Sequence, residues 1–375
     1  MSPARLTSTV IGVVGAGTMG AGIAQVAVQA GHEVLIYDID PTARTRGPER
    51  VREGLARRAA RLGLDADAID DWVAGRIARL RESNTLEAMG TEAGLELVVE
   101  AALEDLELKQ AVFRTLDAAS PRDVILATNT SALSVAQIAE AAVRPARVLG
   151  LHFFNPAPLM PLVEVVATPL TDRLVVNRAR ALVEAWGKTA VIALDSPGFI
   201  VNRVNRPFTL EALRMLEAGE ASVERIDHAL RAAGFPMGPF ELMDLIGIDV
   251  NLAAATEIWR RSGHPDRLRP SPIQERLVEA GHLGRKSGRG FYDYAGPERR
   301  AAEIRSTGLA DRPEELPDEA IVERIRRAIL AEAGLAVAEG VADEDAIDLA
   351  LRLGAGHPSG PFELERTKTG PEPAH

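Results

Sequence analysis

The chain has 375 residues, 46% hydrophobic and 26% charged, with a formal net charge of −11. That length holds a sizeable core in two or three domains, and the acidic balance excludes a general nucleic-acid binder, which needs a basic face. It contains no cysteine, which excludes disulfides and zinc–thiolate sites, and its seven scattered histidines lack metal-ligand spacing, so no metal is expected.

Val10, Ile11, Val13 and Val14 read as a short buried parallel strand. A strand starting this early implies no signal peptide, and no apolar run approaches the ~20 residues that span a bilayer. The expectation is a cytoplasmic protein with no membrane partner. Residues 15–22 follow as Gly-Ala-Gly-Thr-Met-Gly-Ala-Gly, and Met19 to Ala30 read as a helix of small residues closed by Gly31. Gly15 permits the tight turn, Gly17 lets backbone approach a pyrophosphate, and Gly20 lets helix and strand pack closely. The phosphates would rest on N–H groups at the helix N-terminus.

Glu33 to Tyr37 reads as a second strand ending in Asp38, 18 residues after Gly20, where an acid hydrogen-bonds the adenosine ribose. A carboxylate there repels a 2′-phosphate and favours NAD over NADP. Residues 44–81 then read as an inserted helical hairpin, with ten arginines, six acids and no lysine. Those arginines are either a solvated face or a landing surface for a polyanionic ligand.

Up to residue 195 strand-like and helix-like segments alternate, the pattern of a parallel sheet wound on both faces. Beyond Val10–Val14 and Val34–Tyr37, the expected strands are Leu97–Val99, Val124–Ala127, Val148–Phe153, Leu162–Val166 and Val191–Leu194. From Asp195-Ser196-Pro197-Gly198 onward the pattern is helical. A long helix is expected over Ile200–Glu217, kinked at Pro207. Charged, proline-bearing residues 296–319 read as a linker. The sequence then repeats: Arg203, Glu211-Ala212, Gly219 and Ile226-Asp227 recur 121 residues later, and Gly238-Pro-Phe-Glu-Leu242 recurs 122 later. The expected organisation is an α/β doubly wound domain over 8–195, a helical domain over 196–295, the linker, and a partial second helical copy over 320–366.

Three polar clusters fall at the ends of expected strands, where ligands bind in doubly wound sheets. Thr128-Asn129-Thr130-Ser131 follows one, His152-Phe-Phe-Asn155-Pro156 closes another, and Glu164 interrupts an apolar third. Asn202 lies in the first turn of the long helix. A buried carboxylate needs a partner, and His152 is the natural one for Glu164. Such a pair fixes the imidazole tautomer and suits it to exchange a proton with a hydroxyl. Ser131 and Asn202 could hydrogen-bond the same oxygen. Singly, each has a plainer reading as a structural histidine, a helix cap or a surface ion pair.

These stretches, with Val99-Glu100-Ala101, Pro197-Gly-Phe-Ile-Val-Asn202-Arg203, Pro236-Met-Gly-Pro-Phe-Glu-Leu242 and Gly284-Arg-Lys286-Ser-Gly-Arg-Gly-Phe291-Tyr, resemble the L-3-hydroxyacyl-CoA dehydrogenases over roughly residues 8–294. The resemblance implies a Rossmann-type domain followed by an all-α domain. It implies His152 as catalytic acid/base, Glu164 as its orienting partner, and Ser131 and Asn202 at the reacting substrate. It further implies NAD held by Gly15, Gly17, Thr18, Met19, Gly20, Ala21, Gly22, Asp38, Glu104, Lys109, Ser131, Asn155 and Lys286. The hairpin would contact coenzyme A, with Arg61 at a phosphate and Gly54 where relatives carry a serine. In larger relatives an added helical copy can occupy a dimer partner's place; here a homodimer through the helical domain is an open expectation.

The function implied is reversible NAD-dependent oxidation of a (3S)-3-hydroxyacyl-CoA to the 3-oxoacyl-CoA, as in fatty-acid β-oxidation. The alternatives are a dehydrogenase of a CoA-free hydroxy acid, of gulonate or carnitine type, and a nucleotide-binding protein without activity. The basic hairpin speaks against the first, and the full set Ser131, His152, Glu164 and Asn202 against the second.

Overall fold

The computed structural model describes residues 9–296, 300–301 and 315–369. Of the expected linker, residues 297–299 and 302–314 lie outside these, as does residue 8, the expected start of the first domain. The chain divides into two compact units between Asp195 and Ser196. Among the described residues no helix is long and apolar enough to cross a membrane.

The first unit is a sheet with helices on both faces. Its strands are β1 (Val10–Val14), β2 (Glu33–Tyr37), β3 (Leu80–Glu82), β4 (Leu95–Glu100), β5 (Ile125–Thr128), β6 (Val148–Phe153), β7 (Leu162–Ala167) and β8 (Thr189–Leu194). They lie in the order β3-β2-β1-β4-β5-β6-β7-β8. Alternate residues of β1 serve two cores: Ile11 and Val13 pack with Ile23 and Ala27 on one face. Val10 and Val14 pack with Val112, Phe113 and Leu116 on the other.

Two differences from the sequence expectations concern this sheet. The pairing of β6 with β7 is antiparallel, not parallel. Only residues 154–161 join the two strands, too few for the crossover that a parallel neighbour requires. The inserted hairpin, α2 (Pro41–Arg61) and α3 (Ala66–Ile77), ends before residue 81, because Leu80–Glu82 joins the sheet edge beside β2. A three-residue edge strand with two charged residues carries no apolar run to betray it.

The glycine-rich loop leads into α1 (Thr18–Gln29), and α4 (Leu86–Gly90), α5 (Leu106–Ala119), α6 (Val135–Ala139) and α7 (Arg173–Ala185) complete the first unit. The second unit opens with α8 (Val201–Val204) and α9 (Arg206–Glu217), so the single long helix expected over 200–217 is broken at Asn205, just before Pro207. Next come α10 (Val223–Ala232), α11 (Pro239–Ile246), α12 (Ile248–Arg261) and α13 (Pro272–Glu279). The repeated sequence forms α14 (Asp318–Ala338), α15 (Glu344–Gly354) and α16 (Pro361–Thr369). The one-residue insertion is absorbed within α15, which has 11 residues where α10 has 10.

The two helical copies exchange equivalent contacts. Arg203 Nε donates to Glu332 at 2.8 Å, and Arg324 Nε donates to Glu211 at 3.0 Å; each arginine is the other's repeat, and so is each glutamate. Asp227 accepts the Phe240 and Glu241 N–H groups at the start of α11, and Asp348 accepts those of Phe362 and Glu363 at the start of α16. The Tyr292 hydroxyl also donates to Asp227, at 2.7 Å. In the second copy Asp348 instead accepts from Arg366, at 2.9 Å.

Candidate active site

The strand order reverses between β1 and β4, and the parallel strands β2, β1, β4, β5 and β6 all end at the same edge of the sheet. That edge is where doubly wound folds bind ligands. The glycine-rich loop, Asp38, Glu100, the Ser131 loop and His152 all sit at or directly beyond these strand ends.

The glycine-rich loop fits a dinucleotide. Gly15 has φ +100°, and a Cβ on it would lie 2.5 Å from the Ala101 carbonyl oxygen. A Cβ on Gly20 would lie 1.8 Å from the Gly15 carbonyl oxygen, so only glycine lets the helix start this close to β1. Nothing lies within 4 Å of the corresponding point on Gly17, which is exposed together with Thr18. No side chain caps α1, so its first N–H groups remain available to phosphate oxygens. Asp38, at the end of β2, accepts the Ala16 N–H at 2.7 Å, which ties this carboxylate to the glycine-rich loop. Arg50 donates to the Ala16 carbonyl from α2 at 2.8 Å.

A buried polar network supports the loops after β4 and β5. Glu100 closes β4, fully buried, and accepts from Lys109 Nζ and from the Thr128 hydroxyl, both at 2.7 Å. Lys109 also reaches Glu104, at 3.4 Å. Glu104 in turn accepts from the Thr130 hydroxyl at 2.5 Å and from the Ser131 and Ala132 N–H groups at 3.0 and 3.1 Å. Burial pushes the Glu104 carboxyl up; the Lys109 charge and these three hydrogen bonds outweigh it and leave it below the ordinary carboxylate range. The Ser131 loop is thus pinned through its backbone, and the Ser131 side chain is left exposed.

His152 and Glu164 face each other across the antiparallel β6–β7 pair, in direct register. His152 Nδ1 lies 2.5 Å from Glu164 Oε2, with both side chains buried. A carboxylate only accepts, so Nδ1 carries the proton and Nε2 is the ring atom suited to proton exchange. The Phe154 ring tilts against the imidazole at 4.5 Å between centroids, and Asn129 Oδ1 accepts the Phe153 N–H at 2.8 Å, holding the end of β6 beside β5. The antiparallel turn of the sheet is what sets histidine opposite glutamate.

Asn155 follows β6 and precedes the cis peptide bond to Pro156. Asn202, half-buried, and Lys286 belong to the second unit, where Lys286 Nζ lies 2.7 Å from Asp249 Oδ2. On the hairpin, Arg46, Arg52, Arg58 and Arg61 are exposed and make no ion pair among the described residues. At Gly54 an added Cβ would lie 2.0 Å from Oε1 of the buried Gln25, so a side chain there would have to displace that amide. Sequence reading passed over Glu100 as a site residue. Its signal was available: it ends an apolar strand in an acid, the same feature that singles out Glu164.

The profile of the 3-hydroxyacyl-CoA dehydrogenase NAD binding domain matches residues 10–196, and that of the 3-hydroxyacyl-CoA dehydrogenase C-terminal domain matches residues 198–294 and 321–368. The chain belongs to the 3-hydroxyacyl-CoA dehydrogenase family. Among relatives of this 3-hydroxyacyl-CoA dehydrogenase chain, the 3-hydroxyadipyl-CoA dehydrogenase of Escherichia coli is 46% identical over 285 residues, 76% of this chain and 58% of that protein's length. The mitochondrial hydroxyacyl-coenzyme A dehydrogenase of Rattus norvegicus is 40% identical over 75% of this chain and 90% of its own length. The crystal structure of 3-hydroxybutyryl-CoA dehydrogenase from E. coli K12 superposes with a TM-score of 0.86 at 36% identity, covering 97% of this chain and 92% of that one. In this family member, the second C-terminal match, 321–368, falls on the stretch whose sequence repeats residues 200–246.

Proposed function

We propose that the protein catalyses the NAD-dependent, reversible oxidation of a (3S)-3-hydroxyacyl-CoA to the 3-oxoacyl-CoA. The observation that carries the reading is the buried His152–Glu164 pair, set in register at the ligand-binding edge of a dinucleotide fold. Relatives named for 3-hydroxybutyryl-CoA and 3-hydroxyadipyl-CoA support a short acyl chain.

NAD, when bound, supplies the hydride acceptor. The glycine loop, Asp38 and the N-terminus of α1 hold it. His152 Nε2 takes the proton from the C3 hydroxyl, while Glu164 holds Nδ1–H and faces the resulting imidazolium with a carboxylate. Ser131 and Asn202 are proposed as hydrogen-bond donors to the C3 oxygen as it becomes a carbonyl. The unpaired arginines of α2 supply charge for the phosphates of coenzyme A. A homodimer through the helical unit would use a face other than the one carrying Arg203 and Glu211, because the chain's own second copy covers that face.

The test is NADH oxidation with acetoacetyl-CoA, comparing wild type with His152→Ala. Loss of turnover by about a hundredfold or more with retained NADH binding supports the assignment. A variant as fast as wild type removes it, and wild-type activity only on free hydroxy acids replaces the substrate.

A further inference from the structure

Two arginines three residues apart in the second unit have opposite fates. Arg203 is buried and fully engaged, by Glu332 and Glu339. Arg206 is also buried, 6% exposed, yet among the described residues no carboxylate pairs with it, and its Nε has no hydrogen-bond partner. Burial alone acts on its titration, lowering it to about 10, so it stays protonated at neutral pH. An unpaired cation inside a protein is costly, and its persistence points to a counter-ion brought by something else.

The internal repeat supplies a control. Arg327 stands 121 residues after Arg206, and Glu323 stands 121 residues after Asn202. In the second copy, which has no Rossmann unit of its own, the arginine is exposed and Nη2 lies 3.3 Å from the Glu323 carboxylate. A guanidinium at this position therefore reaches the side chain one turn before it. In the first copy that side chain is Asn202, a neutral residue, and the cation is buried. Asn205, between them, has φ −81° and ψ −6°, in the right-handed helical region, so position 206 follows position 202 by about one turn.

From this we infer that Arg206 is a specificity residue, the partner of a free carboxylate at the far end of the substrate's acyl chain. The inference rests on the reading of Asn202 as a ligand of the C3 oxygen. Residues one turn apart have Cβ atoms about 5–6 Å apart, the scale of a short acyl tail beyond C3. The phosphates of coenzyme A lie at the other end of a long pantetheine arm. Their counter-charges are the exposed arginines of α2, in the other unit. A planar guanidinium suits a carboxylate in particular, with two parallel hydrogen bonds. The favoured substrate is thus a 3-hydroxyacyl-CoA of a dicarboxylic acid.

The experiment compares kcat/KM in the reductive direction for 3-oxoadipyl-CoA and 3-oxohexanoyl-CoA, which match in length and differ in the terminal carboxylate. Wild type is expected to favour the former by about tenfold or more. Arg206→Met is expected to lose on 3-oxoadipyl-CoA, gain on 3-oxohexanoyl-CoA and bring the ratio near one, while Arg206→Lys keeps part of the preference. A wild-type ratio at or below one overturns the inference without any variant, as does an Arg206→Met ratio equal to wild type. Acetoacetyl-CoA, with no tail to read, separates the two claims. Turnover of it without a carboxylate preference sinks only the role of Arg206; no turnover of any thioester sinks the dehydrogenase reading itself.

Discussion

Glu164→Gln replaces one oxygen by an NH2 group at constant volume and so isolates the role of the carboxylate. In wild type, Oε2 accepts from His152 Nδ1 at 2.5 Å, with Glu164 wholly buried and His152 nearly so. The substituted amide can donate to Nδ1, which moves the ring proton to Nε2 and leaves no lone pair to take the substrate's proton. Two estimates of the loss agree. Removing a positioned general base costs roughly 10²–10⁴ in rate. Breaking a buried ion pair costs about 3–5 kcal/mol, and at about 1.4 kcal/mol per decade that is again roughly 10²–10⁴.

The loss should fall on kcat in the oxidative direction, where the imidazolium exists only after the proton has moved. KM for (3S)-3-hydroxybutyryl-CoA should move by less than about threefold. Glu164→Asp keeps the charge but retracts it by one methylene, and should recover part of the rate. Stopped-flow NADH absorbance under saturating substrate reads all three proteins, with far-UV dichroism to confirm folding. A folded Glu164→Gln enzyme within about threefold of wild-type kcat would refute the argument, since the tautomer would then be set by something other than this carboxylate.

Gly20→Ala forces a methyl to 1.8 Å from the Gly15 carbonyl, so the loop must move. The variant should lose about 1–3 kcal/mol of stability and most of its NADH affinity, read by melting and by fluorescence titration. Arg203→Ala and Arg324→Ala remove equivalent residues of the two helical copies, yet the former is 4% exposed at its side chain and the latter 37%. Denaturant titration should show about 3–5 kcal/mol for the buried one and about 1 kcal/mol or less for the half-exposed one. His357 is held neutral by burial, with Arg326 adding to the effect, and titrates at about 4 against 6.5 when unfolded. The unfolded chain therefore binds more protons between these values, so the stability tied to neutral His357 is present above pH 6.5 and lost toward pH 4. His357→Phe, which restores the residue of the first copy (Phe235), should lack a pH-dependent loss of roughly 3 kcal/mol over that window.

Much of this molecule was legible because its chemistry is local in sequence. The phosphate loop is one contiguous stretch, and the strand bounds Val10–Val14 and Val148–Phe153 match the observed ones because unbroken apolar runs mark buried strands. The pairing of His152 with Glu164 was anticipated from the price of burying a lone carboxylate. The means of pairing was not, since the antiparallel turn depends on a connection too short for a helix, a matter of topology. The edge strand Leu80–Glu82 was hidden by its charges. Arg206 was passed over because an arginine in an amphipathic helix reads as a surface residue, and only coordinates reveal that it is buried with no carboxylate partner among the described residues.

The repeat also tests a sequence rule inside one chain. Pro207 and Ala328 occupy equivalent positions, 121 residues apart. The helix with alanine runs unbroken over 21 residues, whereas the helix with proline splits into a four-residue turn and a 12-residue segment with Pro207 in its first turn. Proline lacks the N–H that Ala328 can donate, and its ring crowds the preceding turn, which is sufficient for the break. Asn202, proposed above as a donor to the C3 oxygen, is thereby carried on a single turn that ends within the next three residues. Pro207→Ala should fuse the two segments into one helix, as in the second copy. Because Asn202 would then be re-aimed, kcat should fall while stability holds or rises, and a variant that gained stability with unchanged kcat would show that the break does not aim this residue.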